Sequence, residues 1–407
     1  MPDTSASRCY FNFHSAGRLV FGSGSVKHLA SFLAPWSPRK VFVLSDRVLE
    51  QAGVVAQVLE PLQAAGLNLR VCLDGEPEPT FAVADKVLAA ARDFGPDAII
   101  AVGGGSNMDL AKITACILTH GGSYRDYVNF GKVPGPVLPL ICLPTTSGTG
   151  SEVSHAAVLT DQANHIKVSI LSHYLRPAVA VVDPMLTLSC PAKPTADSGI
   201  DALTHAIETF TATAYDQMEV PVTEPFPYDG KHPLGDMCAE KAIALIGQHL
   251  VTAVREPNNL AAREGMSLAA TLAGLAFSNG AVAVVHALEY PLGGAVHVSH
   301  GAGNGLLLPY VMRFNLPTRT KETARIAALL GEDTTGVTDA VAVERAITAV
   351  ERLRAAIGIP NQLRELGVTR DQLPTFAAKA FGIKRLMLLN GRRPTEADLL
   401  GILEAAW

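Results

Sequence analysis

The chain has 407 residues, 48% of them hydrophobic and 17% charged, a balance that excludes a disordered chain and leaves apolar material for two or more domains. Its formal net charge of -5 comes from interspersed acidic and basic residues, so no basic face for nucleic acid or anionic membrane is expected and a small-molecule partner is favoured. Six cysteines, at positions 9, 72, 116, 142, 190 and 238, form no CxxC pair, which argues against a thiolate zinc site or a disulfide framework and for a reducing cytoplasm.

The opening "MPDTSASRCYFNFHSAGRLVFG" lacks the basic start and apolar run of a secretory signal, so the mature protein is expected to begin near Met1. Short β-branched runs follow: "KVFVLSD" (40–46), "LRVCLDG" (69–75), "DAIIAVGGG" (97–105) and "VLPLICLPTT" (137–146). They read as strands of a buried parallel sheet. Between them, "FAVADKVLAAARDFG" repeats Val83, Val87, Leu88 and Ala91 at helical spacing, which completes a βαβ rhythm. After "AVAVVDP" (178–184) strand-like runs fade and Ala- and Leu-rich helical patterns continue almost to Trp407. The expectation is an α/β domain with a Rossmann-like parallel sheet over 1–188, then an all-α domain over 189–407.

Within the second half, "DQMEVPVTEPFPYDGKHPLGD" (216–236) is too rich in proline to be a helix and is expected to be an exposed loop. Residues 265–288 carry no charge and are long enough to cross a bilayer. Ser278, Asn279 and Gly280 interrupt them, so two packed core helices are the better reading. No internal repeat is visible.

"AVGGGSNMDLAK" (101–112) follows a strand and opens a helix, where backbone N–H groups can hold a phosphate. Gly103, Gly104 and Gly105 also suit a plain tight turn, and the run is not GxGxxG. A second small-residue turn, "PTTSGTGSEVS" (144–154), ends the next strand with the hydroxyls of Thr145, Thr146, Ser147 and Thr149. Two such loops suggest a dinucleotide. Asp46, at a strand end, can accept hydrogen bonds from an adenosine ribose and repel a 2′-phosphate, which favours NAD over NADP.

"GIDALTHAIE" (199–208) sets Asp201 and His205 one helical turn apart on one face. "VVHALEYPLGGAVHVSHGAGNG" adds His286, His297 and His300. A carboxylate with neutral imidazoles suits Fe(II) or Zn(II). Spacing leaves the choice between His297 and His300 open.

Taken together, "GGGSNMDLAK", "PTTSGTGSE", "GIDALTHAIE" and "VHALEYPLGG…HGAGN" resemble the iron-containing (group III) alcohol dehydrogenases, from "RLVFGSGSV" to "GLLLPYVMRFN", roughly three-quarters of the chain. The resemblance implies an amino-terminal dinucleotide-binding domain and a helical, metal-binding domain, with nicotinamide and metal meeting between them. It implies metal ligands at Asp201, His205, His286 and His300, and cofactor contacts at Gly103, Gly104, Gly105, Ser106, Asp109, Thr145, Thr146, Ser147 and Asp46. Tyr290 stands where many members carry a histidine in the proton path. Tyr290 or His297 is therefore the expected proton carrier.

The implied activity is NAD-linked interconversion of a small alcohol and its aldehyde, by a cytoplasmic homodimer or larger homo-oligomer that uses Fe(II), or Zn(II). The Pro-rich segment and Tyr290 are also reminiscent of the hydroxyacid-oxoacid transhydrogenase branch, and the alternative activity is that one or a 4-hydroxybutyrate dehydrogenase. A hydroxyacid would need a nearby cation, for which Lys167 and Arg176 are candidates; Lys167 is also placed among the cofactor-binding residues.

Overall fold

The computed structural model describes residues 8–162, 166–221 and 224–407. They divide into two compact units, His14–Cys190 and Pro191–Trp407, the latter joined by the residues up to Phe13.

In the first unit, six of the described strands form one parallel sheet: β1 (Arg18–Phe21), β2 (Lys40–Leu44), β3 (Asn68–Cys72), β4 (Ala98–Gly103), β6 (Leu140–Pro144) and β9 (Val179–Val182), in the order β1-β9-β6-β4-β2-β3. Alternate residues of the strands enter different cores, as the pleat requires. Phe42, Leu44, Ile99, Ala101 and Cys142 pack with the helices Phe81–Phe94 and Gly105–His120, while Val41, Val43, Ile100, Val102 and Ile141 pack with the helix Val54–Ala64. A sheet covered on both faces explains why the strands read as unbroken apolar runs. A smaller sheet, β5 (Asn129–Phe130), β8 (Ile166–Leu171) and β7 (Ala156–Asp161), includes an antiparallel β7–β8 pair for which the sequence offered no clear alternation.

The register sets the working edge. Leu44 pairs with both Cys72 and Ala101, and Gly103 pairs with Pro144, so the residues after β2, β4 and β6 leave the sheet on the same side. That side is the carboxyl end of a parallel sheet, where such folds bind ligands.

The second unit is built from helices. Ala192–Phe210 is buried almost throughout and packs against Pro233–Arg255, Leu260–Asn279 and His300–Leu329. Two glycines make the last crossing possible. A Cβ on Gly301 would lie 1.9 Å from the carbonyl oxygen of Asp197, and one on Gly305 would lie 2.6 Å from Ile200. The uncharged segment becomes parts of Leu260–Asn279 and Val284–Val296, bent by 103° after Asn279, where the Ser-Asn-Gly cluster stops the first helix. Among the described residues no single helix is long and apolar enough to cross a membrane.

The expectation of an exposed loop at 216–236 holds in part: Asp216, Gln217, Glu219, Pro221, Glu224 and Pro225 are exposed, and 222–223 lie outside the described residues, but the rest needs correction. Met218, Val220, Tyr228, Asp229 and His232 are buried, and the helix Pro233–Arg255 begins inside the segment. His232 caps that helix by accepting the Gly235 N–H at 3.1 Å, and Asp229 binds Arg8 and the Asn12 backbone N–H at 3.3 and 3.0 Å. Prolines forbid a helix, but they do not forbid burial when the remaining backbone and side chains find partners.

Candidate metal and cofactor sites

Three helices bring the expected ligands together. Asp201 and His205 stand one turn apart on Ala192–Phe210; His286 lies in the first turn of Val284–Val296; His300 is the first residue of His300–Leu329. The Nε2 atoms of His205, His286 and His300 lie 3.9, 3.9 and 4.0 Å from the Asp201 carboxylate oxygens. Donor atoms of Asp201, His205 and His286 all fall within 4.8 Å of one another.

The far sides of two rings decide their tautomers. His286 Nδ1 lies 2.5 Å from Glu208, and His300 Nδ1 is hydrogen-bonded to Glu289. A carboxylate accepts only, so each Nδ1 carries the proton and each Nε2 presents its lone pair toward Asp201. Lone pairs and a carboxylate aimed at one point repel one another unless a donor or a cation lies among them, and the Asn304 amide, with two hydrogens, cannot serve the Asp201 oxygen and the Nε2 atoms of both His286 and His300 at once, so the donor set fits a divalent metal. Burial pushes the Asp201 carboxyl upward; positive charge on the rings of His205, His300 and His286, present only when these are protonated, and an N–H from Asn304 outweigh it and hold it below its ordinary range.

Glu208, Glu289 and Asn304 were not singled out from sequence. Glu208 accepts from the backbone N–H of Ala283 and Val285 as well as from His286, and it fixes the turn that delivers that ring. Asn304 Nδ2 lies 2.8 Å from Asp201 and 3.2 Å from Nε2 of both His286 and His300. A signal existed: 201, 205 and 208 share one helical face, as do 286 and 289, and 300 and 304.

The two expected proton carriers stand apart. Tyr290 stacks on His300 with ring centroids 6.0 Å apart, and burial pushes its phenol well above the ordinary value. His297 ends Val284–Val296 in the left-handed conformation at φ 53° and is exposed.

In the α/β unit, glycines join the two loops. Gly103 has φ 150°, and a Cβ there would lie 2.2 Å from Asn107; a Cβ on Gly105 would lie 2.9 Å from Thr149, and one on Gly104 3.4 Å from Thr146. The Thr145 N–H donates to the Gly103 carbonyl, and Thr145 and Ser147 are buried. Helix Gly105–His120 has Gly104 as its N-cap, with no side chain capping its first N–H groups. An uncapped N-terminus beside bare glycine backbone is suited to a phosphate.

Asp46 caps the helix Arg47–Gln51 through the Leu49 N–H at 2.9 Å, and its other oxygen accepts from Asn107 Nδ2 at 2.8 Å. Asp109 works through its neighbours: its oxygens accept from Ser151 Oγ and the Val158 N–H, with Lys112 at 4.0 Å. Burial raises Asp109 and lowers Lys112, and each counteracts the other's shift. Lys112, fully buried, binds Ser151, Ser154 and the Ala156 carbonyl, so it staples the second loop. Ser106 accepts from the Glu78 N–H, and Lys167 pairs with the Glu78 carboxylate at 2.7 Å. Arg176 donates to the Val153 carbonyl and lies 3.4 Å from His155.

Comparison with known proteins bears on both units. A family model described as iron-containing alcohol dehydrogenase matches residues 16–184, and one described as the Fe-containing alcohol dehydrogenase family, C-terminal, matches 195–407. The chain is 38% identical over 402 residues to long-chain-alcohol dehydrogenase 1 of Geobacillus thermodenitrificans, with 97% of each chain covered. It is 34% identical over 370 residues to the NAD-dependent methanol dehydrogenase of Bacillus methanolicus, covering 91% of this chain and 93% of that one. A crystal structure of a 1,3-propanediol oxidoreductase superposes with a TM-score of 0.91 at 34% identity, over 98% of this chain and 100% of the other. With both units matched and the identity running nearly end to end, the chain belongs to the iron-containing alcohol dehydrogenase family.

Proposed function

We propose that the protein is a metal-dependent, NAD-linked alcohol dehydrogenase that interconverts a small alcohol and its aldehyde, with Asp201, His205, His286 and His300 as the metal ligands. The observation that carries this reading is the convergence of three Nε2 atoms on one buried carboxylate. One carboxylate and three imidazoles suit Fe(II), the family's metal, and also Zn(II). When bound, the ion supplies Lewis acidity that lowers an alcohol's pKa, and NAD supplies the hydride acceptor.

The chain's own groups prepare that chemistry. Glu208 and Glu289 keep the Nδ1 protons of His286 and His300 and so keep the Nε2 lone pairs available. Asn304 holds one Asp201 oxygen by an N–H, which fixes the carboxylate plane. In the α/β unit, residues 14–190 would form the nucleotide domain. The first-turn N–H groups after Gly104 would receive the pyrophosphate, and Thr145, Thr146 and Ser147 would supply hydroxyls beside them. Asp46, held in one orientation by Leu49 and Asn107, would read the adenosine ribose.

For the proton path, Tyr290 is the candidate that contacts a proposed ligand, by its stacking on His300; burial raises its phenol, so it would pass a proton only by accepting one as it gives one. The free state of all six cysteines supports a reducing compartment, and a homo-oligomer is proposed on the family's habit. The test is metal analysis of the purified protein, joined to NAD reduction across alcohols, diols and hydroxyacids. His286→Ala should lose metal and turnover together. Full activity in a metal-free His286→Ala protein would refute the assignment.

A further inference from the structure

The two carboxylates behind the ligand histidines differ in what else they hold. Glu208 is bound on every side, by His286 and by the backbone N–H groups of Ala283 and Val285. Glu289 is fully buried and bonds His300 through Oε2, while its Oε1 has no hydrogen-bond partner among the described residues. Space for it comes from two glycines. A Cβ on Gly293 would lie 2.4 Å from Glu289 Oε1, and one on Gly303 would lie 2.8 Å from Glu289 Cγ. A buried carboxylate oxygen with no partner is costly, and a backbone stripped of two Cβ atoms to fit the side chain gives it a fixed seat.

The ligand that Glu289 holds is also the exposed one. The side chain of His300 is 32% exposed, whereas those of Asp201, His205 and His286 are 4%, 6% and 3% exposed. His300 opens its helix directly after a short connection from Val296, so it is the ligand able to turn toward solvent without unpacking a helix. An ion leaving a four-ligand site must first lose one ligand.

We propose that Glu289 is the positioning residue that sets how long the site retains its metal, by holding His300, the ligand through which the ion exchanges with solvent. The proposal rests on His300 being a ligand, as the functional reading has it. Glu208 does a different task, since its loss would orphan two buried backbone donors and weaken the fold itself.

The experiment loads the full-length protein with one equivalent of zinc and follows its release to excess EDTA, alongside the melting temperature of the metal-free form. Glu289→Gln, which keeps the shape and removes the charge, should release zinc about 10-fold faster or more, with the metal-free melting temperature unchanged. Glu208→Gln should lower the metal-free melting temperature. Gly303→Ala, which displaces Glu289 without touching a ligand, should speed release as well and serves where Glu289→Gln does not fold.

Wild-type release rates in Glu289→Gln or, if that protein is unfolded, in Gly303→Ala would overturn the proposal and leave the functional reading standing. A lowered metal-free melting temperature with unchanged release would make Glu289 a fold residue only. A wild-type protein that takes up no zinc or iron would overturn the functional reading, and this proposal with it.

Discussion

Adding one methyl group at Gly301 tests how the proposed ligand set is held. The Cβ of Gly301→Ala would sit 1.9 Å from the Asp197 carbonyl oxygen, 2.7 Å from its carbonyl carbon and 3.1 Å from Asp201 Cβ. Two of these neighbours are backbone inside a buried helix, so no side chain can swing aside. Restoring ordinary contact at 3.4 Å requires the helices to separate by about 1.5 Å, one residue's rise along a helix. His300 precedes the substituted residue and Asn304 follows it by three, so both would leave Asp201. Ligand constellations tolerate displacements of only about 0.5 Å.

The expected outcome is a fall in metal affinity of at least about 10-fold, together with an overpacking cost of roughly 1–3 kcal/mol. For a unit of this size that cost lowers the melting temperature by roughly 2–10 °C. Equilibrium dialysis against zinc measures the affinity, and calorimetry of the metal-free protein measures the strain. Gly294→Ala is the control, because nothing lies within 4 Å of a Cβ built there. If Gly301→Ala binds zinc and melts as the wild type does, the crossing at Asp197 is not what places His300.

Glu208→Ala would orphan the N–H groups of Ala283 and Val285, at roughly 1–3 kcal/mol each, so its urea midpoint should fall even without metal. An unchanged midpoint would show that those donors find other partners. Asp46→Gly should move the NAD to NADP preference, read as the ratio of kcat/KM values, toward NADP by about 10-fold or more. A constant ratio would remove Asp46 from the ribose. His155 is held well below 6.5 by burial and by Arg176, and His173 is lowered to about 4 by burial, His14 and Arg176. A histidine depressed in the fold binds its proton more readily when unfolded, so stability is fully present above about pH 6.5 and declines as pH falls toward 4. Urea midpoints across that range should fall with pH, and His155→Phe should flatten the slope; a slope equal to wild type would count against it.

Much of the fold could be read because burial and periodicity agree. A parallel sheet covered on both faces makes its strands continuous apolar runs, so "KVFVLSD" and "DAIIAVGGG" announce β2 and β4. The edge strand β1 and the pair β7–β8 were not announced. Their burial is partial; β1 pairs with Val179–Val182, far away in sequence, and β7, though close in sequence to β8, carries no apolar/polar alternation of its own. The Pro-rich segment was misjudged in part because proline reports on backbone hydrogen bonding and says nothing of buried Tyr228, or of Asp229, whose partners Arg8 and Asn12 lie some 220 residues away.

At the site, residue type and spacing carried Asp201 and His205, but they left His297 and His300 equivalent. The distinction is geometric. His297 takes the left-handed position that ends one helix, and His300 takes the first position of the next, whose Gly301 lets it reach Asp197 and whose Gly305 lets it reach Ile200. A three-residue shift thus separates an exposed cap from the proposed ligand. Glu208 was overlooked although it ends the same stretch that displays Asp201 and His205, because a glutamate on a helix is ordinarily a solvated residue. Its position seven residues after Asp201 places it on the buried face, where an unpaired carboxylate would be untenable. The inference from burial therefore runs opposite to the one from residue type: on a face this apolar, each acidic side chain requires a partner, and the partner of Glu208 is the ring that faces Asp201 from the other side.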